Sequence, residues 1–197
     1  GLGTRPPEIR DDVWVGGGHP YPDAGSIEAA ERALAIARGS DADDLLLLLV
    51  SGGASAMMAA PAHGLTLDLK QRTIRTVMTA GGDITALNAV RKHFSAVKGG
   101  RLAAACAGRT VTLALSDVVG DDLSVIGSGP GVPDTSTWSD AAAALAQFGG
   151  DAHAVGVRDL LDGPERCRGL RGRQAERACE GTRLDGGDVV HARIIAT

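Results

Sequence analysis

Between Asn88 and Arg101 the chain reads "NAVRKHFSAVKGGR". On a helix with 100° between residues, Asn88, Arg91, Lys92 and Ser95 fall together at i, i+3, i+4 and i+7. Leu87, Val90, Phe94 and Val97 gather on another side, with Ile84 at its margin. A polar face of this kind is ordinarily the solvated side of an amphipathic helix. Two features set this one apart. No acidic residue interrupts its positive charge, and it runs directly into Lys98-Gly99-Gly100-Arg101, where two glycines open a new helix. N–H groups at a helix start beside a lysine form a seat for a phosphate or carboxylate. Arg91 and Lys98 are the candidates to bind such an anion, Asn88 to orient them, and Gly99 and Gly100 to complete the seat. Replacing Arg91 or Lys98 is expected to cost activity and leave the melting temperature nearly unchanged. His93, on the flank of the apolar face, reads equally as a structural or a catalytic histidine.

Three further stretches could carry chemistry. Ser51-Gly52-Gly53-Ala54-Ser55 follows an apolar run, and small residues at the carboxyl end of a strand let a phosphate approach the backbone. Ser51, Gly52, Gly53 and Ser55 are candidates to line a phosphate or substrate pocket, although a tight structural turn fits the same residues. The spacing is neither that of a Walker A loop nor that of the dinucleotide G-x-G-x-x-G. Gly127 to Asp134 adds a second Gly/Ser lining, with Ser128 and Gly129 as candidates and Pro130 and Pro133 to stiffen it. Asp117 ends an apolar segment, and Asp121 and Asp122 follow a glycine. Carboxylates placed so can hold Mg²⁺ together with substrate phosphates, and Asp-Gly-rich turns account for them as well. His19, within "GGGHPYPD", reads as a structural loop residue. Gly/Ser loops, a cationic helix and an acidic loop at strand and helix ends suit phosphoryl transfer, where the protein mainly positions groups and neutralises charge.

The elements that must position these residues follow from pattern. Val13 to Val15 reads as a short strand before the Gly/Pro loop. Asp23 can cap a helix over 24–38, with Ile27, Ala30, Leu34 and Ala37 on one face and Glu28 paired with Arg32 on the other. "LLLLLV" before Ser-Gly-Gly predicts a strand buried on both faces of a parallel sheet. Helices are expected over 66–79, over 84–97 with Asp83 as cap, after Gly100, and over 137–148. Thr110 to Asp117 is the second buried strand. The alternation predicts an α/β fold, a three-layer α/β/α Rossmann-like domain with a mostly parallel sheet. Residues 1–150 form its core. Residues 151–197 continue the domain less regularly, with short helical patches near Ala154 to Leu161 and Arg173 to Cys179, and end in the strand-like "VVHARIIAT".

Composition narrows the class. Aromatics make up only 3% and there are 28 glycines, which suits close helix-on-sheet packing more than a β-sandwich. With 20 basic against 24 acidic residues the net charge is −4, so neither nucleic acid nor a membrane is an expected partner and the basic cluster is local chemistry. Three cysteines without a CxxC spacing predict no disulfide framework and a reducing cytoplasm. The first residue is Gly1 rather than Met, so a segment upstream is expected.

The motifs "GGHPYPD", "LLVSGGASAM", "NAVRKHFSAVKGGRLAAA" and "LALSDVVGDDLSVIGSGPGVPD", in this order, resemble the glycerate 2-kinase family whose full-length members carry a C-terminal MOFRL domain; some members are labelled hydroxypyruvate reductase. The resemblance is strong over about Gly17 to Phe148. It implies ATP-dependent, Mg²⁺-assisted phosphorylation of D-glycerate at its 2-hydroxyl, in a cleft between two domains. It implies a nucleotide and a small acid as partners and leaves room for a homodimer. On this reading Arg91, Lys98 and Asp117 act on the reacting groups, and Asp117, Asp121 and Asp122 are the metal candidates. A nicotinamide-dependent reductase and a non-catalytic anion-binding fragment are the alternatives. Two positions depart from the family pattern: Ala54 stands where a glycine is usual, and Gly131 where a threonine is. The family's Gly-Lys motif would lie upstream of Gly1 and its second domain beyond Thr197.

Overall fold

Three parallel strands in the order β1-β2-β3 organise the chain. The computed structural model describes residues 15–116 and 118–149, and the backbone of 189–194. Strand β1, Leu45–Val50, lies beside β2, Arg109–Leu115, with Leu45 opposite Arg109 and Val50 opposite Ala114. Strand β3, Val189–Ile194, adds in parallel to the far side of β2, so the sheet contains the strand expected near the chain end. The expected helical patches between 151 and 188 lie outside the described residues, as do Val13 and Asp117. Val15 is not in a strand.

The longer helices begin where a capping residue stands. Asp23 accepts the Ser26 amide at the head of α1, Ala24–Arg38, and the Ser26 hydroxyl answers back to the Asp23 amide. Thr66 caps α3, Leu67–Thr79, and Asp83 caps α4, Ile84–His93. Thr137 and Asp140 cap α6, Trp138–Phe148, reciprocally. Each such cap contributes about 1 kcal/mol. Two one-turn helices, α2 (Ala54–Met57) and α5 (Arg101–Ala104), follow the Gly-rich turns. Glu28 and Arg32 form the anticipated exposed pair at 2.9 Å.

Helix α4 stops at His93, four residues short of the sequence expectation. The reason is tertiary. The Ala62 amide donates to the Phe94 carbonyl at 3.2 Å and the Ala96 amide to the Ala60 carbonyl at 3.0 Å, so a crossing segment takes the backbone bonds that a longer helix would have used. Both sides of α4 are consequently covered. Leu87, Val90 and Phe94 pack with Val77 of α3 and Ala144 and Leu145 of α6. Asn88, Lys92 and Ser95, read as polar-face residues, are buried as well.

A second core lies on the sheet. Ala30, Leu34 and Ala37 of α1 and Leu102 of α5 pack with Leu46 and Leu48 of β1. The other face of β1 differs from the sequence expectation of a strand buried on both sides: Leu45, Leu47 and Leu49 are 61%, 50% and 72% exposed. Topology supplies the reason. Right-handed connections stepping in one direction along a parallel sheet all pass over the same face. The connection from β1 to β2 carries α5 over one side, and among the described residues α1 and α5 lie on that side alone.

Candidate functional site

At the carboxyl end of β1 the chain turns through Ser51-Gly52-Gly53. Gly53 has φ 84°, a left-handed conformation that favours glycine, and it starts α2. The adjacent Ala54 is a helical residue with no positive φ, so the departure from the usual glycine carries no backbone strain. An open hollow of about 270 Å³ lies against this end of the sheet, lined by Leu49, Val50, Ser51 and Leu113 to Leu115. Ligand sites of open α/β sheets form at this edge.

Ser55, on α2, meets Ser128 with the two hydroxyl oxygens 3.0 Å apart, which joins the two Gly/Ser loops although 73 residues separate them. Ser128 is 1% exposed and has φ 62°, flanked by Gly127 and Gly129 at 60° and 66°. A left-handed serine costs about 1–2 kcal/mol, and such strain concentrates where a loop is held for a purpose. The clasp that holds it is visible. The Gly99 amide donates to the Ser128 carbonyl at 3.1 Å and the Gly100 amide to the Gly129 carbonyl at 2.7 Å. These amides are therefore engaged with protein, and α5 is a single turn. The backbone anion seat read from Lys98-Gly99-Gly100 is corrected accordingly: the glycines shape and hold the loop, and the charge comes from side chains. Glycine is required at both positions. A Cβ on Gly99 would approach Asp134, and one on Gly100 the Val132 carbonyl. At Gly131 the side chain that the family pattern would place is excluded by the Thr112 hydroxyl of β2, which fills the space.

Lys98 is the centre of this arrangement. It is 2% exposed, and its ammonium donates to the Ser55 carbonyl at 2.7 Å, the Ser55 hydroxyl at 3.2 Å and the Met58 carbonyl at 3.5 Å. Burial, then the neighbouring charges of Lys70 and Arg91, hold its pKa well below the ordinary lysine value. Arg91 is partly buried, with Nη2 at 3.9 Å from the Met78 sulfur, and burial lowers its pKa too. Arg101 turns inward to the carbonyls of Lys92 and Lys98 at 2.7 and 3.0 Å. Lys70, on α3, reaches the Ala60 carbonyl at 3.5 Å and is also 2% exposed. Burial, then Arg101 and Arg91, bring its pKa down to about 7. Lys70 is absent from the sequence candidates. Its signal was the spacing with Thr73 and Val77, at i+3 and i+7, which puts it on the buried stripe of α3.

The acid facing this cluster comes from the second loop. Asp134 pairs with Lys92 at 3.2 Å, both side chains nearly inaccessible, and accepts the Ser136 amide and hydroxyl at 3.0 and 2.8 Å. His93 sits 3.5 Å from the other Asp134 oxygen, with Nδ1 at 3.0 Å from the Ala89 carbonyl and its ring edge-on to Trp138. These contacts give it a packing role. His19 is an exposed residue of the Gly/Pro loop, and its ring borders Gly53. Asn88 is buried on α4.

Of the acidic loop, Asp117 lies outside the described residues and Asp122 serves a turn. Asp122 accepts the Ser124 amide at 2.8 Å and its carbonyl accepts from Val125 and Ile126, so it caps a turn. Asp121 adopts φ 51° in the same turn. Among the described residues no three His, Cys, Asp or Glu side chains are placed to hold a metal ion. The described carboxylates thus do not fit a protein-built Mg²⁺ cage.

Comparison with known proteins adds the following. The family model described as "Domain of unknown function (DUF4147)" matches residues 4–162. A protein of Agrobacterium vitis named "Putative hydroxypyruvate reductase" is 45% identical over 148 residues, 75% of this chain and 34% of that protein. The glycerate 2-kinase of Pyrococcus horikoshii is 42% identical over 134 residues, 68% of this chain and 30% of that enzyme. The crystal structure of a glycerate kinase from Thermotoga maritima superposes with a TM-score of 0.71 at 33% identity, covering 90% of this chain and 39% of that one. The chain spans about a third of the length of the curated relatives it matches.

Proposed function

The chain belongs to the DUF4147 family, among relatives named glycerate kinase and hydroxypyruvate reductase, and from that premise we propose that it forms one wall of the active site of an ATP-dependent glycerate 2-kinase. The observation that carries the reading is the position of Lys98. Its buried ammonium bonds Ser55 of one Gly/Ser loop, whose hydroxyl meets Ser128 of the other, next to the carboxyl end of β1, with Arg91 near it and, among the described residues, no carboxylate bonded to it. Such a group neutralises negative charge on an acidic substrate or on a phosphoryl group in transfer, where positioning and charge stabilisation do most of the work.

In the proposed reaction the 2-hydroxyl oxygen of D-glycerate attacks the γ-phosphorus of ATP, the bond to ADP breaks, and 2-phosphoglycerate leaves. Lys98 and Arg91 hold the glycerate carboxylate or the transferring group. Ser51, Gly52, Gly53 and Ser55 line the approach along one loop, and Ser128 and Gly129 fix the other. Mg²⁺ belongs to the proposal as the ion that accompanies ATP. The activity is that of the longer protein, and the 197-residue chain alone is not expected to turn over.

A reductase is the second reading, favoured by the name of the Agrobacterium relative. It would require a site for a nicotinamide dinucleotide, and the loop after β1 reads Ser-Gly-Gly-Ala-Ser instead of the dinucleotide fingerprint. A chimera separates the two. These residues would replace the matching stretch of the Pyrococcus horikoshii glycerate 2-kinase. ADP formed from D-glycerate and ATP supports the kinase. Oxidation of NADH or NADPH by hydroxypyruvate, without ADP formation, overturns it.

A further inference from the structure

Lys70 and Lys98 come from different elements and end on one short stretch of backbone. The Lys98 ammonium reaches the carbonyls of Ser55 and Met58, and the Lys70 ammonium that of Ala60. Each residue is 2% exposed. The groups that face Lys70 carry its own sign: Arg91 from α4, Arg101 from α5, and Lys98 from the turn between them. Among the described residues the carboxylates of the neighbouring elements are committed to other partners, Asp134 also facing Arg101. Asp134 closes on Lys92 and Ser136, Asp140 of α6 on Thr137, and Asp68 of α3 on Arg72 at the surface. Carbonyl oxygens satisfy N–H groups but do not balance charge, and buried charges are ordinarily paired.

We infer that Lys70 and Lys98 form a two-ammonium seat for an oxyanion, a phosphate group or the carboxylate of a small acid. The inference deepens the kinase reading by giving its acidic ligand a second counter-charge, and it rests on that reading only for the choice of D-glycerate as a probe. It carries a linkage. With its pKa near 7, Lys70 is mostly neutral at mildly alkaline pH while the seat is empty. A bound anion favours the charged form and raises that value. Anion binding at about pH 8 therefore takes up a proton at Lys70, and less of one at about pH 6; Lys98, shifted in the same direction, adds its own uptake wherever it is neutral before the anion arrives.

The test uses the 197-residue chain and sulfate, which does not itself titrate in this range. Calorimetric titrations in two buffers of different ionisation enthalpy give affinity and proton uptake together. The expected result is net uptake that is larger at pH 8 than at pH 6. Lys70→Met should weaken sulfate by about tenfold or more, the weight of one charge-assisted hydrogen bond, and lower the uptake at pH 8 to what Lys98 alone contributes. Lys70→Arg, charged at every pH used, should bind with the same lowered uptake. Unchanged affinity and uptake in Lys70→Met overturn the proposal. A second readout needs no variant: NMR of the lysine ε-methylenes should show a lysine titrating near neutrality whose midpoint rises with sulfate, and its absence also overturns the seat. Sulfate binding with uptake but no response to D-glycerate supports the seat and removes the glycerate reading.

Discussion

The Lys98 ammonium donates to both the carbonyl and the hydroxyl of Ser55, at 2.7 and 3.2 Å. The contact ties the charge of one segment to the geometry of another, since the same hydroxyl meets Ser128. Function and fold are therefore coupled at this lysine, and it will not behave as a free surface residue. In the chimeric kinase Lys98→Ala should lower kcat/KM by about 10²–10³, the usual loss when a preorganised donor to developing charge is removed. It should also destabilise the chain by ~1–3 kcal/mol, because the Ser55 and Met58 carbonyls lose their donor. That departs from the sequence expectation of an unchanged melting temperature. Rates and urea midpoints measured on one preparation check both parts, and full activity with loss of stability would make Lys98 structural only.

Asp134 and Lys92 test the other half of the cluster. Their pair is buried, so removing one partner leaves the other uncompensated. Asp134→Ala should cost about 3–5 kcal/mol, measured by urea unfolding. Lys92→Met should be similarly harmful alone. The double variant should recover part of the loss, since replacing both members of a buried pair is far milder than breaking it. Additive losses would show that the pair contributes little.

Local chemistry made much of the fold legible. Asp23 and Asp83 cap helices where the sequence placed caps, and Thr66 and Thr137, read as first helical residues, are caps as well, because a cap is satisfied within three residues. Both strands with described side chains follow from their apolar runs. What stayed hidden depends on distant partners. The end of α4 is decided by Ala60 and Ala62, and its basic face is buried because Asp134, 42 residues beyond Lys92, supplies the acid. Ser55 and Ser128 were each read as loop lining, but their pairing needs the tertiary fold. Lys70 went unnoticed because one lysine on a helix stripe looks ordinary until its neighbours are known.

Lys70 also predicts a pH dependence of stability. Its pKa is lowered from 10.5 to about 7 in the folded chain. Between those values the unfolded chain binds more protons than the folded one, so this group makes stability rise with pH across the window and contributes no slope outside it. Lys98 is shifted in the same direction. Lys70→Met removes the titration together with the buried charge. The variant should therefore gain more over the parent at pH 7 than at pH 9, read from urea midpoints at each pH. An equal difference at both would mean that Lys70 titrates as an ordinary lysine.

The open face of the sheet makes the last prediction. Leu45, Leu47 and Leu49 alternate along β1 on one side, and Leu115 of β2, 47% exposed, is a further uncovered leucine of the sheet. Contiguous apolar surface of this kind drives association. The 197-residue chain should therefore self-associate with rising concentration, seen by light scattering after size exclusion. Leu47→Thr with Leu49→Thr puts β-branched side chains, which suit a strand, in place of two central leucines of the face. Because both leucines are at least half exposed, each change should alter stability by no more than roughly 0.5 kcal/mol. The double variant should elute as a monomer at concentrations where the parent does not. A parent that stays monomeric throughout would mean that some part of this protein outside the described residues already covers the face, and the variant would then be the less stable of the two.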